Sequence, residues 1–256
     1  KEQRGEASTN GWHSPFFHRD EKILPGYYGV LLHRYNIYTE LTATRHCGML
    51  RFTFPKDDLS RIQIDLARRI GGTSSEQEVR VVSDNAIEGW VRCGPEGGGM
   101  GNGKPKDLKY KVFFRTEFSQ PLTSCGIWDV NFPEGVRRDR TFIESDEYAE
   151  YCRNAAIHPG RKEAHGEHLG FYAEFSTQKD EQILLKVGLS FVDLDGARNN
   201  LETELNHWDF DRAHKDIVGA WDDALAGLTI SSAKEEDKAI AATAAYHIRL
   251  DPRRID

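Results

Sequence analysis

The sequence predicts a mainly β fold, an antiparallel β-sandwich followed by linker α-helices. Between Tyr27 and Phe54, apolar and aromatic residues alternate with a period of two, in three runs separated by short polar breaks. Such runs are typical of consecutive antiparallel strands. The same alternation is strongest from 182 to 192. After Ala197 the apolar spacing changes to three and four residues, which indicates helices.

Further strands are predicted between these two regions, at 60–70, 79–82, 86–91, 108–118, 124–128 and 169–175. The turn-forming residues 83–85 separate two of them. The glycine-rich stretch 94–103 lacks the Gly-Lys-Ser/Thr ending and the following helix of a phosphate-binding loop. We therefore interpret it as a hairpin loop, and we expect residues 1–11 to form a mobile or loop segment.

Two helices are predicted near the C-terminus. The first has an apolar face with helical spacing and ends near Gly227; the face comprises Phe210, Ala213, Ile217, Ala220, Trp221 and Leu225. The second is expected to begin after a Ser231 or Ser232 cap and to end at Asp251-Pro252. Its predicted apolar face comprises Ile240, Ala244 and Ile248.

Residues 131–167 are charged and follow no strand pattern, so we predict a surface insertion with a short helix near 145–151, capped by Ser145 or Asp146. Residue types that bind metals occur in and just after it: His158, His165, His168, Glu163 and Glu167. Their spacing does not suit ligands on one helix or strand, because His158 lies well before a pair interrupted by Gly166. Solvated loop histidines are the preferred interpretation.

Composition indicates a folded chain of one large all-β domain or one and a half domains. Hydrophobic residues make up 38% of the 256 residues and charged residues 29%. The formal net charge of -7 argues against nucleic acid or an anionic membrane as partner. No apolar run approaches the ~20 residues of a membrane span. The first residues lack the apolar core of a signal peptide, which says nothing about the full gene product.

The four cysteines, Cys47, Cys93, Cys125 and Cys152, are far apart and show no zinc-ligand spacing. Four cysteines allow three disulfide pairings. A chain of this length builds a core without such links, so we favour reduced, buried thiols over disulfides.

An ordered series of motifs resembles a known family. Phe16, His18, Glu21 and the run Pro25–Tyr28 are followed at matching distances by 40–45 (ELTATR) and 51–55 (RFTFP). The series resembles the N-terminal β-sandwich domain of glycoside hydrolase family 92, the calcium-dependent exo-α-mannosidases. The tail, including 208–210 (WDF) and 243–247 (TAAYH), is similar to the family's linker helices and the first helix of its (α/α)6 barrel. Ala241-Ala242 departs from the aromatic pair that is usual there.

The resemblance implies three parts: a β-sandwich at 1–195 with its early strands missing, a helical linker at 196–230, and the first helix of a truncated (α/α)6 catalytic domain at 231–256. It also implies removal of terminal α-linked mannose with inversion, by two carboxylates and a calcium ion whose ligands come from the barrel. We therefore expect no catalytic residue and no metal ligand in this chain, and no activity from it alone.

The same resemblance implies a mannose-containing glycan and the helical barrel domain as partners, and an extracytoplasmic location. It also points to four residues. His18 and Glu21 match a polar pair before the Pro-Gly-Tyr-Tyr turn, and Tyr246 and His247 match the first barrel helix. We expect these four at the domain junction, as substrate-binding or domain-interface residues, and favour hydrogen bonding between buried side chains over contact with sugar.

Two further interpretations stay open. The tryptophans invite a sugar-stacking role, but tryptophans on strands and helix faces are more often core residues; they are Trp90, Trp128, Trp208 and Trp221. The alternative to a hydrolase is a non-catalytic β-sandwich module that binds carbohydrate or protein.

Overall fold

A computed structural model describes residues 14–69, 72–94, 109–133, 145–227, 229–232 and 234–249. These residues form a β-sandwich of a nine-stranded and a four-stranded antiparallel sheet, followed by helices. The predicted fold class is confirmed. The interpretations of residues 1–11, of the glycine-rich stretch and of Asp251-Pro252 fall wholly or largely outside the described residues.

The strands follow the predicted alternation closely, with a few additions. They are β1 Glu21–Leu24, β2 Tyr27–Leu32, β3 Ile37–Ala43, β4 Cys47–Phe54, β5 Asp57–Asp65, β6 Arg68–Arg69, β7 Gly72–Thr73, β8 Glu76–Ser83, β9 Ala86–Cys93, β10 Tyr110–Phe118, β11 Ser124–Asp129, β12 Ala156–Pro159, β13 Glu163–Gly166, β14 Leu169–Thr177 and β15 Glu181–Ser190. The helices are α1 Asp146–Arg153, α2 Leu194–Glu204, α3 Phe210–Leu225 and α4 Glu235–Ile248.

The larger sheet has the order β1-β2-β3-β4-β15-β10-β9-β8-β13. Two series of neighbours in sequence, β1 to β4 and β8 to β10, meet only through β15, which pairs with β4 on one side and β10 on the other. The smaller sheet has the order β12-β11-β14-β5.

The core lies between the facing sides of the two sheets. Phe118, Phe171, Phe175 and Ile183 are among its fully buried side chains. They occupy alternate positions of their strands because a strand presents successive side chains to opposite faces. The period-two pattern in the sequence therefore predicted the buried face correctly along the middle of the strands, whereas Leu189, near the end of β15, is 40% exposed.

Residues 145–168 are not a surface insertion, and for this described part the prediction was wrong. Strand β12 pairs with β11 in the smaller sheet, and β13 pairs with β8 in the larger one, so this part of the chain joins the two sheets. Both strands are four residues long; β12 ends in a proline and β13 contains Glu163 and His165, which leaves too little apolar alternation to detect. Helix α1 was predicted correctly, and the Ser145 hydroxyl accepts a hydrogen bond from the amide of Tyr148.

Helix α2 packs on the outer face of the larger sheet, over β15 and β10. Gly188 of β15 permits this approach, because a Cβ atom there would lie 2.4 Å from the carbonyl oxygen of Ala197 and 2.9 Å from Cβ of Leu201. The Lys186 ammonium, on the same strand, donates to the carbonyl oxygen of Leu205 at the end of α2 at 2.9 Å. A cation in this position stabilises a helix C-terminus.

The final helix differs from the prediction at its start and on its apolar face. Its N-cap position is Lys234, while the Ser232 hydroxyl bonds to the amide of Lys234 and to Asp237. Ile240 and Ile248 are largely exposed, and the buried residue of this helix is Ala245. Helical spacing identified the helix correctly but not the face it buries.

A buried carboxylate connects α2 to three strands. Glu88 of β9 is 1% exposed and accepts hydrogen bonds from Arg80 of β8 at 2.6 and 3.0 Å, from Arg115 of β10 at 3.3 Å and from Arg198 of α2. Burial alone would raise the pKa of Glu88, but the hydrogen bonds from Arg80 and Arg198 lower it below its ordinary value. Glu88 is therefore ionised at neutral pH, and its charge is compensated by arginines.

The other end of α2 is held to the β3–β4 turn through Glu204. Its carboxylate accepts three hydrogen bonds: one from the Thr44 hydroxyl, one from the backbone amide of His46 at 2.9 Å and one from Nδ1 of the His46 side chain at 2.5 Å. Burial tends to raise the pKa of Glu204, and these hydrogen bonds lower it below its ordinary value of 4.5.

This contact predicts an acid-dependent loss of stability. A carboxylate with a lowered folded-state pKa contributes fully above its unfolded pKa, and the contribution is lost as the pH falls through the folded value. We expect Glu204→Gln to lower the free energy of unfolding at neutral pH by about 1–2 kcal/mol. The difference from the wild-type chain should shrink below about pH 4.5, measured by urea unfolding at several pH values. A difference that does not change between neutral and acidic pH would contradict this account.

All four cysteines are free thiols. Cys47 and Cys93 are buried, and Cys125 and Cys152 are half-buried. Burial raises the pKa of Cys47 and of Cys152 to about 12, which makes both thiols poor nucleophiles. No helix in the described residues is long and apolar enough to cross a bilayer.

Candidate functional site

His18 and Glu21 meet at the outer edge of the larger sheet, where a short 3-10 turn (His18–Asp20) leads into β1. Nδ1 of His18 lies 2.6 Å from Oε2 of Glu21, and the Tyr28 hydroxyl donates to Oε1 at 2.7 Å. The His18 side chain is 93% exposed, whereas that of Glu21 is 12% exposed. The carboxylate is thus held by two partners, and most of the imidazole is open.

These hydrogen bonds fix the charges of the cluster. Those from Tyr28 and His18 lower the pKa of Glu21, and the bond to Glu21 raises the pKa of Tyr28 to about 12. At neutral pH Glu21 is a carboxylate and Tyr28 a phenol. Because the carboxylate accepts a hydrogen bond from Nδ1–H, Nε2 of a neutral His18 ring is left as a hydrogen-bond acceptor.

A second histidine–carboxylate pair lies beside the first. Nε2 of His33, which follows β2, lies 2.7 Å from Oδ2 of Asp20. The ring of Phe17 contacts His33 edge-on, with centroids 4.8 Å apart, and Phe16 contacts His18 in the same way at 5.9 Å. Phe16 and Phe17 are about half exposed. The edge therefore combines exposed aromatic rings with hydrogen-bonding groups, as sugar-binding surfaces do.

The Pro-Gly-Tyr-Tyr turn connects this edge to helix α3. Gly26 has φ +69°, and a Cβ atom there would lie 2.4 Å from Ile217 of α3. The Tyr27 hydroxyl donates to Glu40 at 2.9 Å, and its ring lies against His214 of α3, with centroids 5.0 Å apart. The glycine is therefore needed for two reasons, its left-handed conformation and the close approach of α3.

The other two predicted residues, Tyr246 and His247, lie on α4. The Tyr246 ring packs against Trp221 of α3, with centroids 4.5 Å apart, and His247 is exposed. In the described part of the chain, no hydrogen bond, ion pair or ring contact joins these residues to His18 or Glu21. The structure brings together the first predicted pair but not the two pairs.

Two family models match successive parts of the chain. A model of the glycosyl hydrolase family 92 N-terminal domain matches residues 1–190. The chain belongs to glycosyl hydrolase family 92. A second model, of the family 92 catalytic domain, matches residues 196–256, which include α3 and α4.

Solved family 92 structures share the fold. An α-mannosidase from Bacteroides thetaiotaomicron, solved in complex with mannoimidazole, is 26% identical with a TM-score of 0.74; the match covers 94% of this chain and 28% of that chain. An inverting mannosidase from Bacteroides thetaiotaomicron VPI-5482 is 17% identical with a TM-score of 0.72, over 94% and 27% of the two chains, and supports the fold alone.

A curated relative points the same way. An "uncharacterized secreted glycosidase" from Arthroderma benhamiae is 26% identical over 235 residues, which cover 84% of this chain and 26% of the relative. The chain spans little more than a quarter of the length of these relatives.

Within this family 92 domain, the histidines considered as metal ligands lie apart. His158 pairs with Asp129 at 2.7 Å, His165 pairs with Glu76 at 2.8 Å, and His168 is buried against Phe132. The prediction of solvated loop histidines was right only in part. The side chains of His158 and His165 are 37% and 56% exposed but belong to strands, and His168 lies in a loop but is buried. Among the described residues, no three His, Cys, Asp or Glu side chains form a group that could hold a metal ion.

The tryptophans of this family 92 domain contact protein groups. Trp90 is 7% exposed, with the Lys111 ammonium 3.3 Å from its ring centroid. Lys186 lies 4.5 Å from the ring centroid of Trp208. A Cβ atom on Gly170 would lie 1.8 Å from the Trp128 ring, so that ring covers the glycine. These contacts agree with a structural role.

The pair of His33 and Asp20 was not predicted. Thirteen positions separate the two residues, and only the reversal of the chain between β1 and β2 brings them together. A signal was available in hindsight, since a hairpin around Pro25-Gly26 places residues before β1 near residues after β2.

Proposed function

We propose that the protein containing this chain is an exo-α-mannosidase that removes terminal mannose from glycans with inversion. The observation that carries the proposal is the match to both family 92 domain models, supported by the 26% identity to a solved family 92 α-mannosidase. We assign the sandwich to 1–195, the helical linker to 196–230 and the first catalytic-domain helix to 231–256. The catalytic carboxylates and the calcium ligands would come from other parts of the enzyme.

Calcium supplies Lewis acidity and substrate orientation in metal-assisted hydrolysis. Among the described residues no three His, Cys, Asp or Glu side chains form a group that could hold it, so its ligands are proposed to lie in other parts of the enzyme. An extracytoplasmic location is supported by the name of the secreted relative and by the extracellular occurrence of many glycans. The alternative, a non-catalytic carbohydrate- or protein-binding module, predicts binding without hydrolysis.

The role proposed for the His18 cluster is to form the sandwich side of the junction where the glycan binds. Glu21 holds the imidazole through Nδ1, so that the opposite nitrogen can bond to a sugar hydroxyl or to the catalytic domain. Tyr246 and His247 are proposed to lie at the same junction on the helical side. The exposure of His18 supports a partner beyond the described residues.

The first test concerns the division of labour between the domains. We expect the purified 256-residue chain, with calcium present, to show no hydrolysis of an aryl α-mannoside above a buffer control. A version extended through a complete family 92 catalytic domain should hydrolyse it. Turnover by the short chain that survives repurification would contradict the proposed division, and an inactive extended enzyme that binds mannosides would favour the binding module.

The second test separates substrate contact from domain contact at His18. In the extended enzyme, His18→Ala should raise KM for a mannoside by about tenfold with a smaller change in kcat, because a ground-state hydrogen bond is lost. Lys22→Ala, an exposed change on the adjacent strand, is the control. An unchanged KM with a lowered melting temperature would assign His18 to the domain interface instead.

A further inference from the structure

The larger sheet has two edges, and the His18 cluster lies at one of them. Near the opposite edge, where the chain crosses from the smaller sheet to the larger one, is a groove of about 390 Å³. Its walls are the β8–β9 turn, the connection from β10 to β11 and the β12–β13 turn. Val81, Leu122 and Cys125, which pack against the core, form an apolar floor. The volume falls within the range of about 300–1,000 Å³ that is usual for small-molecule sites.

Two opposite charges line this groove without ion-pair partners. In the described part of the chain, neither the Asp84 carboxylate nor the Lys162 ammonium takes part in a salt bridge or a side-chain hydrogen bond. The Glu174 carboxylate, by contrast, accepts hydrogen bonds from Arg61 and from the Ser124 hydroxyl. The groove therefore offers one free acceptor and one free donor, and the free charges cancel.

This combination selects for a class of ligand. An anion attracted by Lys162 is repelled by Asp84, and a cation attracted by Asp84 is repelled by Lys162, so a simple ion gains little net attraction, whereas a hydroxyl group both donates and accepts and can bond to each of them. The apolar floor suits the C–H face of a sugar ring. We propose that the groove is a second binding site for a neutral, hydroxyl-rich ligand, a sugar unit of a glycan, held between Asp84 and Lys162.

The inference rests on the proposed function only for the choice of mannose as the first sugar to test.

Cys125 provides a reporter of binding because its thiol is half-buried in the groove. Iodoacetamide modification at about pH 8.5, followed by mass spectrometry, reports its accessibility. Methyl α-mannoside at about ten times its dissociation constant should slow modification of Cys125 by about tenfold, since the occupied groove excludes the reagent.

The Asp84→Ala/Lys162→Ala variant should lose this protection and keep the melting temperature of the parent chain, because both residues are exposed. The matched control, Lys215→Ala/Asp222→Ala on α3, removes the same charges elsewhere and should keep the protection. Titration calorimetry with methyl α-mannoside, α-glucoside and α-galactoside measures binding directly, whatever the reactivity of Cys125.

Binding of a glucoside or galactoside in place of the mannoside would support the groove as a sugar-binding site and would change only the identity of the sugar it prefers. Absence of binding by all three glycosides, or protection that persists in the Asp84→Ala/Lys162→Ala variant, would overturn the proposal. Since neither measurement requires hydrolysis, failure here is distinct from failure of the mannosidase proposal.

Discussion

Replacing Glu88 with alanine is expected to lower the free energy of unfolding by about 2–3 kcal/mol, because it removes a buried carboxylate that accepts hydrogen bonds from three arginines. The Glu88 carboxylate is 1% exposed and lies among guanidinium groups from β8, β10 and α2. Arg115 is the least exposed of the three arginines, and it keeps Glu117 as a second partner at 3.3 Å. Urea unfolding at neutral pH, with the slope checked for two-state behaviour, measures the change.

The control for this prediction is Asp195→Ala, which removes a different carboxylate from Arg198. The Asp195 side chain is 78% exposed, so its ion pair should be worth less than about 1 kcal/mol. Equal effects of the two substitutions would show that the buried position of Glu88 is unimportant. Glu88→Gln keeps the shape of the side chain and removes its charge. Its free energy of unfolding should be closer to that of Glu88→Ala than to that of the wild-type chain.

The second large effect is expected at Gly188. An alanine there places Cβ 2.4 Å from the backbone oxygen of Ala197, an atom that cannot move unless helix α2 moves with it. We expect a loss of about 2–3 kcal/mol in the free energy of unfolding from this overpacking. Hydrogen exchange should show faster opening of 194–204 than of the β14–β5 pair.

Gly48, on the neighbouring strand of the same sheet, provides the comparison. A Cβ atom there would meet Val187 at 3.5 Å and the Thr42 carbonyl oxygen at 4.0 Å, which are ordinary contacts. Gly48→Ala should therefore change stability by less than about 1 kcal/mol. If both glycine substitutions lower the free energy of unfolding equally, the close approach of α2 is not the reason that position 188 requires glycine.

Alternation of apolar residues predicted most of the sandwich, because β3 to β5, β8 to β11, β14 and β15 each contribute side chains to the core between the sheets. It failed where strands are short. Strand β1 carries the sequence Glu-Lys-Ile-Leu, and β12 and β13 are held by pairing with longer neighbours rather than by their own apolar faces. Their existence depends on partners distant in sequence, which a local pattern does not contain.

The candidate site was predicted only in part. The three-residue spacing of His18 and Glu21 allows a direct hydrogen bond in a single turn, which the structure shows. The preferred interpretation expected both to be buried, whereas the His18 side chain is almost fully exposed. Burial depends on what packs over an edge, and no local sequence pattern records this. The functional roles of these two residues and of Tyr246 and His247 stay predictions.

The position of β15 has a consequence for how the chain folds. Strands β1 to β4 and β8 to β10 can each assemble from local hairpins, but the nine-stranded sheet is continuous only once Glu181–Ser190 lies between them. Closing so long a loop is slow, because its entropy is lost before its contacts form. We therefore expect a chain emerging from the ribosome to hold two unjoined meanders until β15 appears. Helix α2, which begins at Leu194, would follow it almost at once and cover the new face.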